Sequence, residues 1–262
     1  MKLLYYFIAA IVCAGIAHHF EYNILDDVFA AVFGALLIAL IDFISNANAR
    51  IGLLITGHTK YRKKYVRFSI SYLYKINVYD KYLLVKGHRI EGQFQPVGGV
   101  IKRFAESNHF FTEMGILDDQ HLPIDDISKD DLRVLVPGKN IINFINWFES
   151  RKGREISYER EFREELIEEG ILSSLNFKTI PAKLLKTHET RIRYSPHFQC
   201  PEILIAEILE LMPTSQQLDE LKRLMDVESE KYIWATADTI KRLGHNVQGK
   251  SCRISDTALW TL

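Results

Sequence analysis

Two uncharged apolar runs lie near the start of the chain, and mixed periodicity follows them. Leu3–Ala17 reads LLYYFIAAIVCAGIA and Val28–Ile41 reads VFAAVFGALLIALI. Neither reaches the ~20 residues that comfortably span a bilayer. Each comes to the short end of that range when its flank is added, His18 to Phe20 for the first and Asp42 to Ile44 for the second. Together they predict a two-helix transmembrane hairpin over residues 1–49. A helix buried in a globular domain is the other reading of the second run. A secretory signal, with Lys2 ahead and small residues at Gly15 and Ala17, is the other reading of the first.

The flanks set an orientation. The connector His18–Asp27 carries Glu21, Asp26 and Asp27 and no Lys or Arg, whereas Arg50, Lys60, Arg62, Lys63, Lys64 and Arg67 follow the second run. Positive charge stays on the cytoplasmic side, so both termini are expected there. The small residues Ala9, Ala10, Gly15, Ala30, Ala31, Gly34 and Ala35 suit close helix approach in lipid, and are also ordinary composition for such a run.

After a basic linker over 50–64 the pattern changes. Tyr65–Val78 is rich in aromatic and β-branched residues with partial alternation, which predicts a strand or hairpin. Lys81–Gly87 predicts a short strand ended by glycine, and Gly92–Val100 a strand entering a Pro and Gly-Gly turn. Ile141, Phe144, Ile145 and Phe148 recur at helical spacing behind Asn140. Pro201–Leu211 reads as a buried strand or two, and SQQLDELKRLMD as a helix. Tyr232–Leu243 predicts a strand end turning into a helix with Thr236 near its cap. Strands and helices interleave, so the class is α/β or α+β.

Composition narrows the function. Lys and Arg number 33 against 33 Asp and Glu, so no charge excess argues for nucleic acid. The three cysteines, Cys13, Cys200 and Cys252, have no metal-ligand spacing and fit a reducing compartment. The stretch LDDQHLPIDDISKDDL holds six aspartates without EF-hand spacing, and predicts a solvated loop with helix caps. His188 and His197 lack a third ligand and read as loop or strand histidines.

The densest chemistry lies in Gly153–Ile171, GREISYEREFREELIEEGI. On a helix Glu161, Glu164 and Glu168 share a face, with Glu165 and Glu169 one step round. Arg160 and Arg163 relieve part of the repulsion. The segment is either a charged solvent face or a carboxylate cluster for Mg²⁺, a hard cation that shares oxygen ligands with phosphates.

This segment resembles the Nudix box, G-x5-E-x7-R-E-U-x-E-E-x-G-U with U aliphatic. Anchored on Gly170, Glu155 takes the first Glu, Arg163 and Glu164 the R-E pair, Glu168 the second Glu of the E-E pair and Ile171 the last aliphatic. Upstream, KYLLVKG and GQFQPVGG resemble the family's strand and Pro-Gly-Gly turn. Downstream, YIWATADTIKRL resembles its closing segment. The pattern departs at Ile167, Glu165 and Glu149, and by the long separation of Gly99 from Glu155. A slipped register would give Glu165, Glu168 and Glu169 the ligand roles. The resemblance implies an α+β Nudix-like α/β/α sandwich over 65–262 with an insertion around 102–152. Ile167 at an expected Glu implies binding rather than hydrolysis. Glu164 and Glu168 are the expected ligands if Mg²⁺ binds, and no catalytic residue is assigned.

Two apolar runs followed by such a box resemble the SMODS-associated Nudix family, membrane effectors of bacterial cyclic-oligonucleotide antiphage signalling (CBASS). That resemblance implies an inner-membrane protein sensing a cyclic nucleotide made by a CD-NTase-like nucleotidyltransferase. It would then form a homo-oligomer that breaches the lipid bilayer and aborts infection. The expected ligand contacts are Gln95, Gly98, Gly99, Arg103, Glu164, Glu168, Arg191, Arg193 and Tyr194. The competing readings are a tethered Mg²⁺-dependent hydrolase of nucleoside diphosphate derivatives and a protein-binding scaffold.

Overall fold

The computed structural model describes residues 32–37, 39, 49–87, 90–121, 128–245 and 252–262. It divides into two compact units, Met1–Arg62 and Lys63–Leu262. In the first, residues 32–37 and 49–58 are helical, and Phe33, Ile51, Leu54 and Ile55 are exposed. Among the described residues no helix is long and apolar enough to cross a membrane. The expected transmembrane hairpin is therefore corrected: the described helical pieces are too short to cross a hydrocarbon core of about 30 Å. Most of both apolar runs lies outside the described residues. The expected inner-membrane location and lipid partner lose their support with the hairpin.

The second unit is a mixed α/β fold of two sheets. Its strands in chain order are β1 (Tyr65–Lys75), β2 (Asn77–Val78), β3 (Lys81–Lys86), β4 (Gln93–Gln95), β5 (Gly98–Val100), β6 (Leu117–Asp118), β7 (Arg133–Pro137), β8 (Ala182–Glu189), β9 (Arg193–Ser195), β10 (Cys200–Leu211), β11 (Tyr232–Thr236) and β12 (Arg253–Ile254). The larger sheet runs β6-β7-β1-β10-β8, with β5 on β1 and β9 on β10. The smaller runs β11-β3-β4-β12, with β2 on β3.

Strand β1 organises the larger sheet. It pairs with β10 in parallel from Arg67↔Glu202 to Lys75↔Glu210, and antiparallel with β7 at one end and β5 at the other. Its alternation supplies two cores. Val66, Phe68, Ile70, Tyr72 and Tyr74 are buried together, one face of a pleated strand. Phe68 packs edge-on to Phe144 of helix Ile141–Glu149, and Tyr74 to Phe162. On the opposite face Leu73 joins Ala206 and Ile208, and Trp260 of the closing 3₁₀ segment packs against them. Helical segments thus cover both faces of the sheet.

The segment over 102–152 is part of this core. It supplies β6 and β7 to the sheet, and Phe111, Val134, Val136, Phe144 and Phe148 to the interior. Two aspartates of its acidic stretch are not solvated: Asp119 is buried and Asp131 is only 10% exposed in its side chain. Residues 122–127, with Asp125 and Asp126, lie outside the described residues. Pro201–Leu211 proves to be one strand of 12 residues with Cys200, because both its faces are covered. Thr236 caps its helix by accepting from the Thr239 N–H.

Candidate functional site

Two backbone features build the site. The first is the turn at Gly98 and Gly99, which opens β5. Gly98 sits at φ +139°, and a Cβ there would overlap the Tyr72 carbonyl oxygen. A side chain on Gly99 would overlap the Glu161 carboxylate. Both positions need the missing side chain, the first for conformation and the second for close approach.

The second is the helix behind it. One α turn, Glu159–Phe162, passes into a π-helical stretch, Arg163–Glu168, and Gly170 closes it at φ +70°. Phe162 and Leu166 are fully buried and fix its inner side. The Glu161 N–H donates to the Tyr72 hydroxyl at 3.0 Å, and the Tyr74 hydroxyl donates to the Tyr158 carbonyl at 3.1 Å. Burial raises both tyrosine hydroxyls above their ordinary range, so they stay neutral props.

With the helix so fixed, Glu161 and Glu165 face the glycine turn. The Gly98 N–H donates to Glu165 Oε2 at 2.8 Å, and the Gln95 side chain bonds the same carboxyl. Burial pushes Glu165 up to about 8, against the Gly98 hydrogen bond and with repulsion from Glu161 and Glu164. At neutral pH it is largely protonated. Burial first, and Glu161 next, also raise Glu164. Asp131 contributes from the segment around 102–152: burial lifts it to about 6, while Lys102, 3.2 Å away, opposes the rise.

Arg160 closes the group. Its Nε lies 3.1 Å from Glu155 Oε1, its Nη1 2.5 Å from Glu161 Oε1 and 3.5 Å from Glu164 Oε2, and its Nη2 2.9 Å from the Val100 carbonyl. One internal cation thus serves three carboxylates. The Mg²⁺ expected from the box would need oxygens that this arginine holds. Among the described residues no group of three or more His, Cys, Asp or Glu is arranged to hold a metal ion. As placed, these residues do not make a metal site.

The turn-facing carboxylates are offset from the expected ones. Anchoring on Gly170 selects Glu164 and Glu168; Glu168 is exposed and Glu164 sits at the edge. Three residues earlier the chain reads Arg160-Glu161-Phe162-Arg163-Glu164-Glu165, an R-E-x-x-E-E run with buried Phe162 in the apolar place. In that register Ile167 stands where the pattern has its glycine and Lys152 where it has its first Glu, while the R-E-x-x-E-E carboxylates are all present. The spacing hides this, because Glu155 lies five residues before Arg160 instead of eight. The Glu155–Arg160 pair shows the two still meet. Of the site's members the sequence offers Glu161 only as part of the charged helix face, Glu165 only in the slipped register, and Asp131 only as a residue of a solvated loop.

The other expected contacts are spread out. Gln95, Gly98 and Gly99 join the helix. Arg103 turns away, with its guanidinium 4.6 Å from the Phe111 ring and 3.0 Å from Asp118. Arg191, two residues before β9, and Tyr194 within it are exposed, and Arg193 pairs with Glu202 at 3.1 Å. His188 stacks on Trp260 and His197 packs on Phe198.

The family model of the SMODS-associated NUDIX domain matches residues 65–262. No curated protein and no solved structure matches the chain.

Proposed function

This chain belongs to the SMODS-associated NUDIX family, and we propose on that premise that it recognises a cyclic nucleotide in a CBASS-type defence system. The ligand would come from a CD-NTase-like nucleotidyltransferase and would be bound without being cleaved. One observation carries this reading: Arg160 bonds Glu155, Glu161 and Glu164, so the carboxylates of the box are satisfied by a cation of the chain itself.

The chemistry follows. Ionised carboxylates facing a phosphate repel it unless a cation intervenes. Arg160 lowers that repulsion, and the protonated Glu165 contributes no charge. A site whose negative charge is reduced in this way repels a nearby anionic ligand less, and with its oxygens held by Arg160 it offers no metal-activated water. The response to the ligand would be self-association of the chain, driven by tighter binding to the assembled form.

The test is calorimetry on the full chain with a panel of cyclic di- and trinucleotides. Saturable binding of one member supports the reading. No binding by any member, with nucleoside diphosphate compounds broken down instead, overturns it in favour of a hydrolase.

A further inference from the structure

A cavity lies away from the glycine turn, in the segment that separates Gly99 from Glu155. It measures about 830 Å³, inside the range of about 300–1,000 Å³ usual for small-molecule sites. Phe111, Ile116 and Leu135 give it an apolar floor, and Asn108, Thr112 and Gln120 give it polar edges.

Arg103 is its distinctive feature. The guanidinium rests 4.6 Å from the centre of the buried Phe111 ring. Asp118 holds it at 3.0 Å from one side, and Asp130 lies 3.6 Å from Nε. Nε itself is buried and makes no hydrogen bond. The side chain is only 12% exposed, and it lines the cavity where a flat, weakly hydrated guanidinium is held in place by a ring and two carboxylates. Such a guanidinium stacks on planar π systems. Its charge is already matched by Asp118 and Asp130, so the cavity does not select for phosphate.

The cavity and the glycine turn lie back to back. Lys102 and Arg103 are consecutive bridge residues, pairing with Asp131 and Arg154. Lys102 reaches Asp131, which senses Arg160 and Glu161, whereas Arg103 reaches Phe111. The box carboxylates are thus on the far side of this backbone.

We propose that this cavity is the base-recognition site of the chain: a nucleobase stacks on the Arg103 guanidinium where it lines the cavity, with Asn108, Thr112 and Gln120 available to its polar edge. This rests on the nucleotide-sensing reading above and gives it a location separate from the box.

The experiment is calorimetry on the full chain with cyclic di-AMP, cyclic di-GMP, cyclic GMP–AMP and cyclic tri-AMP. Wild type is compared with Arg103→Ala, Arg103→Lys, Thr112→Trp and Leu175→Ala. Loss of one stacked base weakens affinity by about 10- to 100-fold, and that is expected for Arg103→Ala. Arg103→Lys keeps the charge but not the plane, and is expected to lose most of the same affinity. Thr112→Trp puts a bulky ring at the exposed rim of the cavity and removes neither partner of Arg103, so it keeps the proposal testable if Arg103→Ala fails to fold. Leu175→Ala, at an exposed position outside both the cavity and the glycine turn, is expected to bind within about twofold of wild type. Full affinity in both Arg103→Lys and Thr112→Trp overturns the location while leaving the sensing reading intact. No binding of any probe to wild type overturns both.

Discussion

Arg160 bonds Glu155 through two nitrogens, Nε at 3.1 Å from Oε1 and Nη2 at 3.2 Å from Oε2. The same side chain holds Glu161 and Glu164, so its removal leaves three carboxylates without their counter-charge. Arg160→Ala is expected to destabilise the fold by about 2–3 kcal/mol. It should also create a cation response: millimolar Mg²⁺ raises the melting temperature of the variant and leaves wild type unchanged. A thermal shift in wild type of the same size contradicts the account of this arginine.

The two glycines of the turn differ in what they touch. Gly98→Ala forces a positive φ on an L-residue and drives its Cβ into the Tyr72 carbonyl, and backbone cannot move aside cheaply. A loss of more than about 2 kcal/mol is expected. Gly99→Ala meets only the end of the Glu161 side chain, which can swing away, so its loss is expected to be smaller, about 1 kcal/mol. Urea denaturation of both variants checks the order; a reversed order contradicts it.

Glu165 gives the fold a pH dependence. Burial holds its carboxyl at about 8 in the folded chain, against about 4.3 in an unfolded one. Between those values the folded state holds a proton that the unfolded state has lost. The stability it confers is therefore complete below the unfolded value and disappears as pH rises through 8. Asp131, raised to about 6, adds to the lower part of that window. Glu165→Gln keeps the neutral form and the acceptor for the Gly98 N–H. Between about pH 5 and pH 8.5 wild type is expected to lose about 2 kcal/mol more stability than the variant, after discounting for partial solvent access. Equal losses contradict the assignment.

A buried ion group ties the 102–152 segment to the sheet. Arg67 lies 2.6 Å from Asp119 and 3.1 Å from Glu202, with the Phe198 ring 3.9 Å over its guanidinium. His121 Nδ1 lies 2.5 Å from Asp119 Oδ1. Removing one member leaves a buried charge unmatched, so Arg67→Ala is expected to cost about 3–5 kcal/mol. Chemical denaturation measures it, and a loss below about 1 kcal/mol contradicts the burial of this group.

Most strands of the second unit were legible because period-two alternation on β1 and short apolar runs on β3 and β11 come directly from one-sided or two-sided burial. The parallel pairing of β1 with β10 was not, since Arg67 and Glu202 are 135 residues apart and nothing local encodes that register. The box was legible as chemistry but not in register. Gly170 does end the helix at φ +70°, yet the π-helical stretch before it and the short Glu155–Arg160 spacing move the turn-facing carboxylates to Glu161 and Glu165. Phe162 was the available signal, an apolar residue between two charged pairs. Asp119 and Asp131 were read as solvated because their partners, Arg67 and Lys102, are distant in sequence. Hydropathy predicts spanning helices from the apolar runs, whereas among the described residues the helical pieces over 32–37 and 49–58 are too short to cross a membrane.

Under the proposed function the ligand is bound and kept whole. The most direct test is to incubate the full chain with the cyclic nucleotide that binds it, in Mg²⁺, and to separate the products by chromatography over several hours. Recovery of the intact nucleotide at every time, bound in proportion to protein, is the predicted result. Steady conversion to linear or smaller nucleotides, abolished by Glu161→Gln, would contradict it and make this chain a hydrolase.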